Sequence, residues 1–154
     1  MKTILTLCLI YQHPRILLGM KKRGFGVGKW NGFGGKVLPT ETIEDSVRRE
    51  VQEEAGIRVK DLTKVGILDF IFTDRTEVLE VHVFKSEEFL GIITESEEMK
   101  PQWFHIKNIP FDEMWSDDRF WMPLFLSGKK FKGVFSFGES DTLLEQELVE
   151  VEEW

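Results

Sequence analysis

Residues 35–57 read GKVLPTETIEDSVRREVQEEAGI and predict one capped helix that carries several glutamates. Thr42, followed three residues later by Asp45, is a variant of the capping box that begins many helices. Gly56 is typical of the position just after a helix end. The helix is therefore predicted from about Thr42 to Ala55.

The glutamates of this helix are unusually placed relative to its apolar stripe. At about 100° per residue, the stripe contains Ile43, Val47 and Val51. Glu54 falls inside that sector, Glu50 lies on its edge, and Glu53 lies within the same turn. Carboxylates are costly to bury alone and repel each other when close, unless a cation compensates them. Their oxygens suit Mg²⁺ or Mn²⁺, so the pattern favours a metal site over the alternative, a solvated acidic face.

A glycine-rich loop precedes the helix. Residues 21–36 contain six glycines, which is typical of backbone that adopts unusual dihedrals or approaches another group closely. A flexible loop beside a metal-binding helix is a place where a phosphate chain can be held.

The rest of the chain alternates strand and loop signals. Strands are predicted at 1–11, 15–20, 65–72, 78–84, 102–106 and 131–137, and a second helix at 119–127. Residues 86–100 are predicted to be loop-rich, and the tail at 143–154 fits a strand or a helix. Without repeats or a linker, the chain is predicted to be one α/β (α+β) domain of residues 1–154.

Composition narrows the classes of function. The chain has 154 residues, 42% hydrophobic and 31% charged, as in a globular protein. Its net charge of −7 argues against a broad nucleic-acid surface, and its apolar runs are short of the roughly 20 residues that span a bilayer. The single cysteine, Cys8, excludes an intramolecular disulfide and fits a reducing compartment. Cys8 and His82 are interpreted as packing residues.

One pattern in the helix region carries a family resemblance. Gly35, Glu41, Arg49 to Val51, Glu53, Glu54, Gly56 and Ile57 match every fixed position of G-x5-E-x7-R-E-U-x-E-E-x-G-U, where U is bulky and aliphatic. This is the Nudix box, and the chain resembles Nudix hydrolases. The resemblance implies a mixed sheet sandwiched between helices. It also implies that Glu50, Glu53, Glu54 and the Gly35 carbonyl ligate divalent cations, with Arg49 orienting a glutamate and Glu41 structural.

The resemblance extends beyond the box. Residues 19–26, 30–37, 45–54, 81–84, 95–99 and 110–118 are similar to the animal hydrolases of oxidised purine nucleoside triphosphates, which are related to bacterial MutT. This implies Mg²⁺-dependent hydrolysis, with Mn²⁺ as a substitute, of 8-oxo-dGTP first and 2-hydroxy-dATP second, to the monophosphate and pyrophosphate. The alternatives are another Nudix substrate, such as a dinucleotide polyphosphate or a methylated purine nucleotide, or a non-catalytic nucleotide-binding module.

Two further charged residues gain a role from the resemblance. Glu98 is implied to lie on a loop beside the metals, as a second candidate base after Glu54, although it also fits a surface acid. Lys21 is interpreted as a phosphate contact, with a solvated lysine as the alternative.

A second cluster of residues predicts a base pocket. Trp115, Asp117 and Asp118 lie close together in sequence, and the residues expected to join them are Phe25, Asn31, Phe70, Phe72 and Trp121. Aromatic faces stack on a purine, while Asn and Asp read its edge. Adjacent carboxyl groups can take different protonation states, so that one donates and the other accepts. The alternatives are helix capping by Asp117 and Asp118 and core packing by the phenylalanines.

The predicted partner is a small nucleotide, with neither a nucleic-acid polymer nor a membrane. The protein is expected to be a monomer in the cytoplasm, and possible further sites are the mitochondrial matrix and the nucleus.

Overall fold

A large mixed sheet forms the framework of the computed structural model, which describes residues 2–154. The strands are β1 (Lys2–Gln12), β2 (Arg15–Lys21), β3 (Trp30–Asn31), β4 (Arg58–Val59), β5 (Thr63–Phe72), β6 (Val78–Ser86), β7 (Phe89–Leu90), β8 (Met99–His105), β9 (Lys130–Phe137) and β10 (Leu143–Val151). The helices are α1 (Ile43–Ala55) and α2 (Asp118–Leu126).

The sheet combines parallel and antiparallel pairs. Its order is β10-β9-β5-β6-β1-β2-β3, and β8 also pairs with β2. β1 is parallel to β6 and β5 is parallel to β9, whereas the remaining pairs are antiparallel. β4 and β7 form a separate small sheet.

Successive residues of β1 and β2 alternate between two apolar cores, because neighbouring side chains of a strand point to opposite faces. One core contains Leu9, Ile16 and Leu18 together with Trp121 and Phe125 of α2. The other contains Cys8, Ile10 and Leu17 together with Val47 and Val51 of α1. The sheet is thus sandwiched between helices, as predicted, and the packing role of Cys8 is confirmed.

The helix α1 has the ends that its sequence predicts. The Thr42 hydroxyl accepts a hydrogen bond from the Asp45 N–H at 3.1 Å. Gly56 ends the helix with φ at 73°, a left-handed conformation that glycine adopts without a Cβ penalty.

Several other predictions need adjustment. The loop at 21–36 contains the short strand β3, and the loop-rich segment at 86–100 contains β7. The ambiguous tail is a strand, β10, on the edge of the sheet, and Met1 of the first predicted strand lies outside the described residues. His82 is buried in β6, where its Nε2 hydrogen-bonds Glu80 at 2.8 Å, so its structural role is confirmed. Neither helix of residues 2–154 has the length and apolar character to cross a membrane.

Candidate active site

Glu54 lies on the last turn of α1 with its carboxyl group turned inwards. It is only 4% exposed, and the Gly34 N–H donates to its Oε1 at 2.8 Å. Burial raises the pKa of Glu54 to about 8, because the charged form loses its hydration; the Gly34 donor opposes the rise and Glu50 adds to it. The predicted position of Glu54 inside the apolar sector is confirmed.

The turn at Gly34 and Gly35 accommodates no side chain. A Cβ on Gly34 would lie 1.8 Å from the Thr6 carbonyl oxygen, and one on Gly35 would lie 2.7 Å from Glu50 Oε2. The two glycines therefore bring backbone against the glutamates of α1, which is the close approach that the glycine-rich sequence predicts.

Arg49 connects three glutamates of this region. It donates to both Glu41 oxygens at 2.8 and 3.0 Å and to Glu50 at 2.6 Å, and it pairs with Glu53 at 3.3 Å. The Arg49 hydrogen bond lowers the pKa of Glu41 to about 2, with help from the Leu38 N–H. Burial raises the pKa of Glu50, and Arg49 opposes that rise. Glu41 thus holds Arg49, and Arg49 holds Glu50.

The remaining predicted ligands are more exposed. Glu53 has a side chain that is 58% exposed, and Glu98 hydrogen-bonds Lys21 at 3.0 Å and Arg23 at 2.8 Å. Across residues 2–154, no three His, Cys, Asp or Glu side chains form a group that could hold a metal ion. Arg49, Lys21 and Arg23 instead engage oxygens of Glu50, Glu53 and Glu98.

The chemistry of the donors nevertheless suits a divalent cation. Glu54 and Glu50 are desolvated carboxyl groups beside the Gly34–Gly35 turn, and burial raises the pKa of each. A nearby positive charge favours the ionised form of such groups, and hard divalent cations prefer their oxygens.

A cavity of about 550 Å³ is lined by Glu54 and by residues of the sheet and its loops. The predicted site residues in its wall are Lys21, Phe25, Asn31, Gly35, Glu54, Phe70, Phe72, Trp115, Asp117 and Asp118. Those that lie outside its wall are Arg49, Glu50, Glu53, Glu98 and Trp121. One cavity therefore joins the buried glutamate to the predicted base pocket.

Asp117 and Asp118 form a buried acid pair, each 3% exposed. Trp121 donates from Nε1 to Asp117 Oδ2 at 2.8 Å, whereas Asp118 Oδ2 has no hydrogen-bond partner within residues 2–154. Burial raises the pKa of both groups, and that of Asp118 further because it faces the Asp117 charge. Burial and the neighbouring Asp117 charge therefore favour the protonated form of Asp118. Asp117 precedes α2 but makes no side-chain capping bond, so capping does not explain the pair.

Aromatic rings line the cavity beside the acid pair. The Trp115 and Phe25 rings lie 5.0 Å apart at 30°, and the Phe72 and Phe137 rings stack 5.4 Å apart at 21°. Trp121 is 1% exposed and lies outside the cavity wall, where it supports the acid pair through its hydrogen bond to Asp117.

Several wall residues have no counterpart in the sequence prediction. They are Leu5, Thr6, Leu7, Gly26, Gly32, Gly34, Lys36, Arg75, Glu77, Leu79, Val81, Met99 and Phe137. The alternation of 131–137 predicts the strand of Phe137, but only the sheet order brings it to Phe72. Arg75 lies in a polar turn, a signal that by itself indicates only solvent exposure.

Comparison with known proteins gives consistent matches. The model of the NUDIX domain matches residues 1–125. Two proteins named oxidized purine nucleoside triphosphate hydrolase are each 53% identical to the chain: one from Danio rerio, over 97% of this chain and 96% of that protein, and one from Mus musculus, over 96% and 94%. The crystal structure of a MutT protein from Bacillus halodurans superposes with a TM-score of 0.85 at 28% identity, covering 95% of this chain and 97% of that one.

Proposed function

Since the chain belongs to the NUDIX family of hydrolases, we propose that it hydrolyses oxidised purine nucleoside triphosphates to monophosphate and pyrophosphate. The proposed substrates are 8-oxo-dGTP first and 2-hydroxy-dATP second. By removing them, the enzyme would keep oxidised purines out of the nucleotide pool.

One observation carries the proposal: Glu54 and the acid pair lie in the wall of a single cavity. A purine nucleoside triphosphate likewise has two parts, a polyanionic chain and a flat base whose edge carries donors and acceptors. Glu54 and Lys21 accordingly face the phosphates, while Asp117 and Asp118 face the base.

The base end supports recognition of more than one purine. Trp115 offers a flat face for stacking, and Asn31 joins the acid pair in reading the edge. A protonated Asp118 donates while Asp117 accepts, and exchange of that proton would let one pocket hold both guanine-like and adenine-like edges.

The phosphate end supports a divalent cation, Mg²⁺ or its substitute Mn²⁺, because NUDIX hydrolases generally need such a metal. The residues proposed to hold it are Glu50, Glu53, Glu54, Glu98 and the Gly35 carbonyl. When bound, the cation neutralises phosphate charge and lowers the pKa of water. Arg49 positions Glu50, Lys21 binds phosphate, and Glu54 accepts a proton at the oxygen that Gly34 leaves free; Glu98 is the second candidate base.

The wider setting follows from the same proposal. The partner is a free nucleotide, which the net charge of −7 favours over a nucleic-acid polymer. The enzyme is proposed to be a monomer of one domain, residues 1–154. A cytoplasmic location, with the mitochondrial matrix or nucleus as further sites, fits the single cysteine.

The test is identification of products with purified protein and Mg²⁺. We expect 8-oxo-dGTP and 2-hydroxy-dATP to give the monophosphate and pyrophosphate, and a chelator to stop the reaction. Release of inorganic phosphate instead would contradict the proposed bond cleavage. Turnover confined to a dinucleotide polyphosphate or a methylated purine nucleotide would identify another NUDIX substrate, and binding without turnover would identify a nucleotide-binding module.

A further inference from the structure

Arg75 lies in the turn between β5 and β6 and forms part of the cavity wall. Its Cζ is 4.8 Å from the ring centre of Phe72 and 5.1 Å from that of Phe25. Phe25 in turn packs on Trp115. The guanidinium is therefore held by two aromatic faces of the proposed nucleotide pocket, where cation–π attraction fixes its position.

The hydrogen-bond donors of this guanidinium are unused. Within residues 2–154 the Arg75 side chain makes no hydrogen bond, and its ion pair with the adjacent Asp74 spans 4.0 Å. The Asp74 side chain is 81% exposed, so that pair contributes little. By contrast, Lys21 is already engaged with Glu98 at 3.0 Å. Arg75 thus brings a positioned positive charge with free N–H groups to the cavity.

The position of Arg75 is at the entrance rather than the interior. Its side chain is 40% exposed and the neighbouring Phe25 is 53% exposed, whereas Asp117 and Asp118 are buried. A nucleotide that enters the cavity to reach the acid pair therefore passes Arg75.

We propose that Arg75 is a substrate-binding residue that contacts the phosphate chain of the nucleotide at this entrance. The inference rests on the proposed function and adds a contact to it. A guanidinium offers paired donors that match two phosphate oxygens, and aromatic stacking already restricts its motion.

This assignment predicts a dependence on phosphate and not on the base. Loss of Arg75 should weaken the binding of 8-oxo-dGTP and of dGTP to the same degree, because both nucleotides carry the same phosphate chain. It should leave binding of the nucleoside 8-oxo-deoxyguanosine unchanged. If Arg75 served only to hold the aromatic rings in place, its loss would weaken the binding of the nucleoside and of the nucleotide alike.

The experiment compares Arg75→Gln, Arg75→Lys and the control Arg58→Gln, an exposed arginine of β4 outside the cavity wall. It measures KM and kcat for 8-oxo-dGTP and dGTP, and Kd for 8-oxo-dGMP and 8-oxo-deoxyguanosine. For Arg75→Gln we expect KM and the monophosphate Kd to rise about tenfold or more, since a hydrogen bond to a charged group is lost. The nucleoside Kd should stay within about twofold, Arg75→Lys should recover part of the loss, and Arg58→Gln should match the wild type.

Two results for the variants would overturn the inference. In one, Arg75→Gln binds the monophosphate as the wild type does; in the other, its nucleoside affinity falls as far as its monophosphate affinity. Failure of the proposed function is distinguishable, because the wild-type protein would then not hydrolyse 8-oxo-dGTP, and the inference would fall with it.

Discussion

Two carboxyl groups in the wall of the cavity, those of Glu54 and Asp118, are both buried away from water. The pKa of each is raised, chiefly by burial. Glu54 has one backbone donor, Gly34, and we propose that a cation compensates its charge. Asp118 faces a second carboxyl group, Asp117, and we propose that it instead keeps its proton. Burial thus supports metal binding by Glu54 and hydrogen-bond donation by Asp118.

Replacing Glu54 tests the phosphate end. Glu54→Gln should lower kcat with Mg²⁺ by about 100-fold or more, because a ligand and proton acceptor is lost. In the absence of metal the variant should be more stable at pH 7, by about 1–3 kcal/mol, since wild-type Glu54 must take up a proton to be buried and Gln need not. Glu44→Gln, an exposed glutamate of the same helix, is the control for both measurements. Near-wild-type hydrolysis by Glu54→Gln at saturating Mg²⁺ would contradict the assignment.

Replacing Asp117 tests base recognition. Asp117→Asn fixes a neutral amide beside Asp118, which should cost roughly 1–3 kcal/mol for each mispaired buried group. Kinetics with 8-oxo-dGTP, 2-hydroxy-dATP and dGTP should therefore show kcat/KM falling mainly for the oxidised purines. If Asp117→Asn and Asp118→Asn both keep the wild-type ranking and rates, the pair has no role in base recognition.

Asp118 also makes stability depend on pH in a defined direction. Its pKa is higher in the folded than in the unfolded protein, so the folded state binds more protons once pH exceeds about 4. The group therefore lowers the free energy of unfolding as pH rises from about 4 towards the folded pKa. Asp118→Asn removes this contribution. The free energy of unfolding of the variant, measured with denaturant, should therefore rise relative to that of the wild type as pH increases. A difference that is constant from pH 4 to pH 8 would refute the assignment of the proton to Asp118.

The turn at Gly34–Gly35 and the helix α1 act as one element. The turn reaches Glu54 because Gly34 lies directly against β1, at the Thr6 carbonyl. Arg49 fixes the other side of the helix to Glu41 and to the Lys36 carbonyl, at 3.2 Å from the latter. The glutamates are thus positioned by loop backbone as much as by the helix.

Adding a methyl group to this turn tests that arrangement. Gly34→Ala should lower stability by about 3 kcal/mol and abolish most activity, because the Cβ displaces the turn from Thr6 and from Glu54. Gly28→Ala is the comparison: its φ is 82° but no atom lies within 4 Å of the added Cβ, so it should lose about 1–2 kcal/mol and keep its activity. Equal activity losses in the two variants would show that the close contact at Gly34 is unimportant.

For individual helices and strands, the sequence predicts the features that local residue spacing determines. The ends of α1 and the burial of Glu54 follow from capping residues and helical spacing, and both are confirmed. The strand β10 does not follow, because its mostly exposed edge position leaves weak alternation among acidic residues. The ion pairs of Glu98 with Lys21 and Arg23 are also unpredicted, since they join segments that are far apart in sequence.

At the scale of the whole molecule, the order of strands in the sheet brings the residues of the cavity wall together. Its wall takes residues from Leu5 to Phe137, because parallel β1–β6 and β5–β9 pairs place distant segments side by side. The family and the chemistry of its box are readable from one contiguous segment, whereas Arg75 and Phe137 reach the site only through this topology. That the chain is a single domain stays a prediction, which fits a sheet that extends from β1 to β10.

The central claim is that the enzyme prefers an oxidised purine. Its most direct test is the ratio of kcat/KM for the oxidised nucleotide to kcat/KM for the unmodified one. We would measure kcat/KM of the wild-type protein for 8-oxo-dGTP and for dGTP, with Mg²⁺, by pyrophosphate release. A site that contacts the altered base edge discriminates by about tenfold or more, so the predicted ratio is at least ten in favour of 8-oxo-dGTP. A ratio near one, with measurable turnover of both nucleotides, would contradict the account.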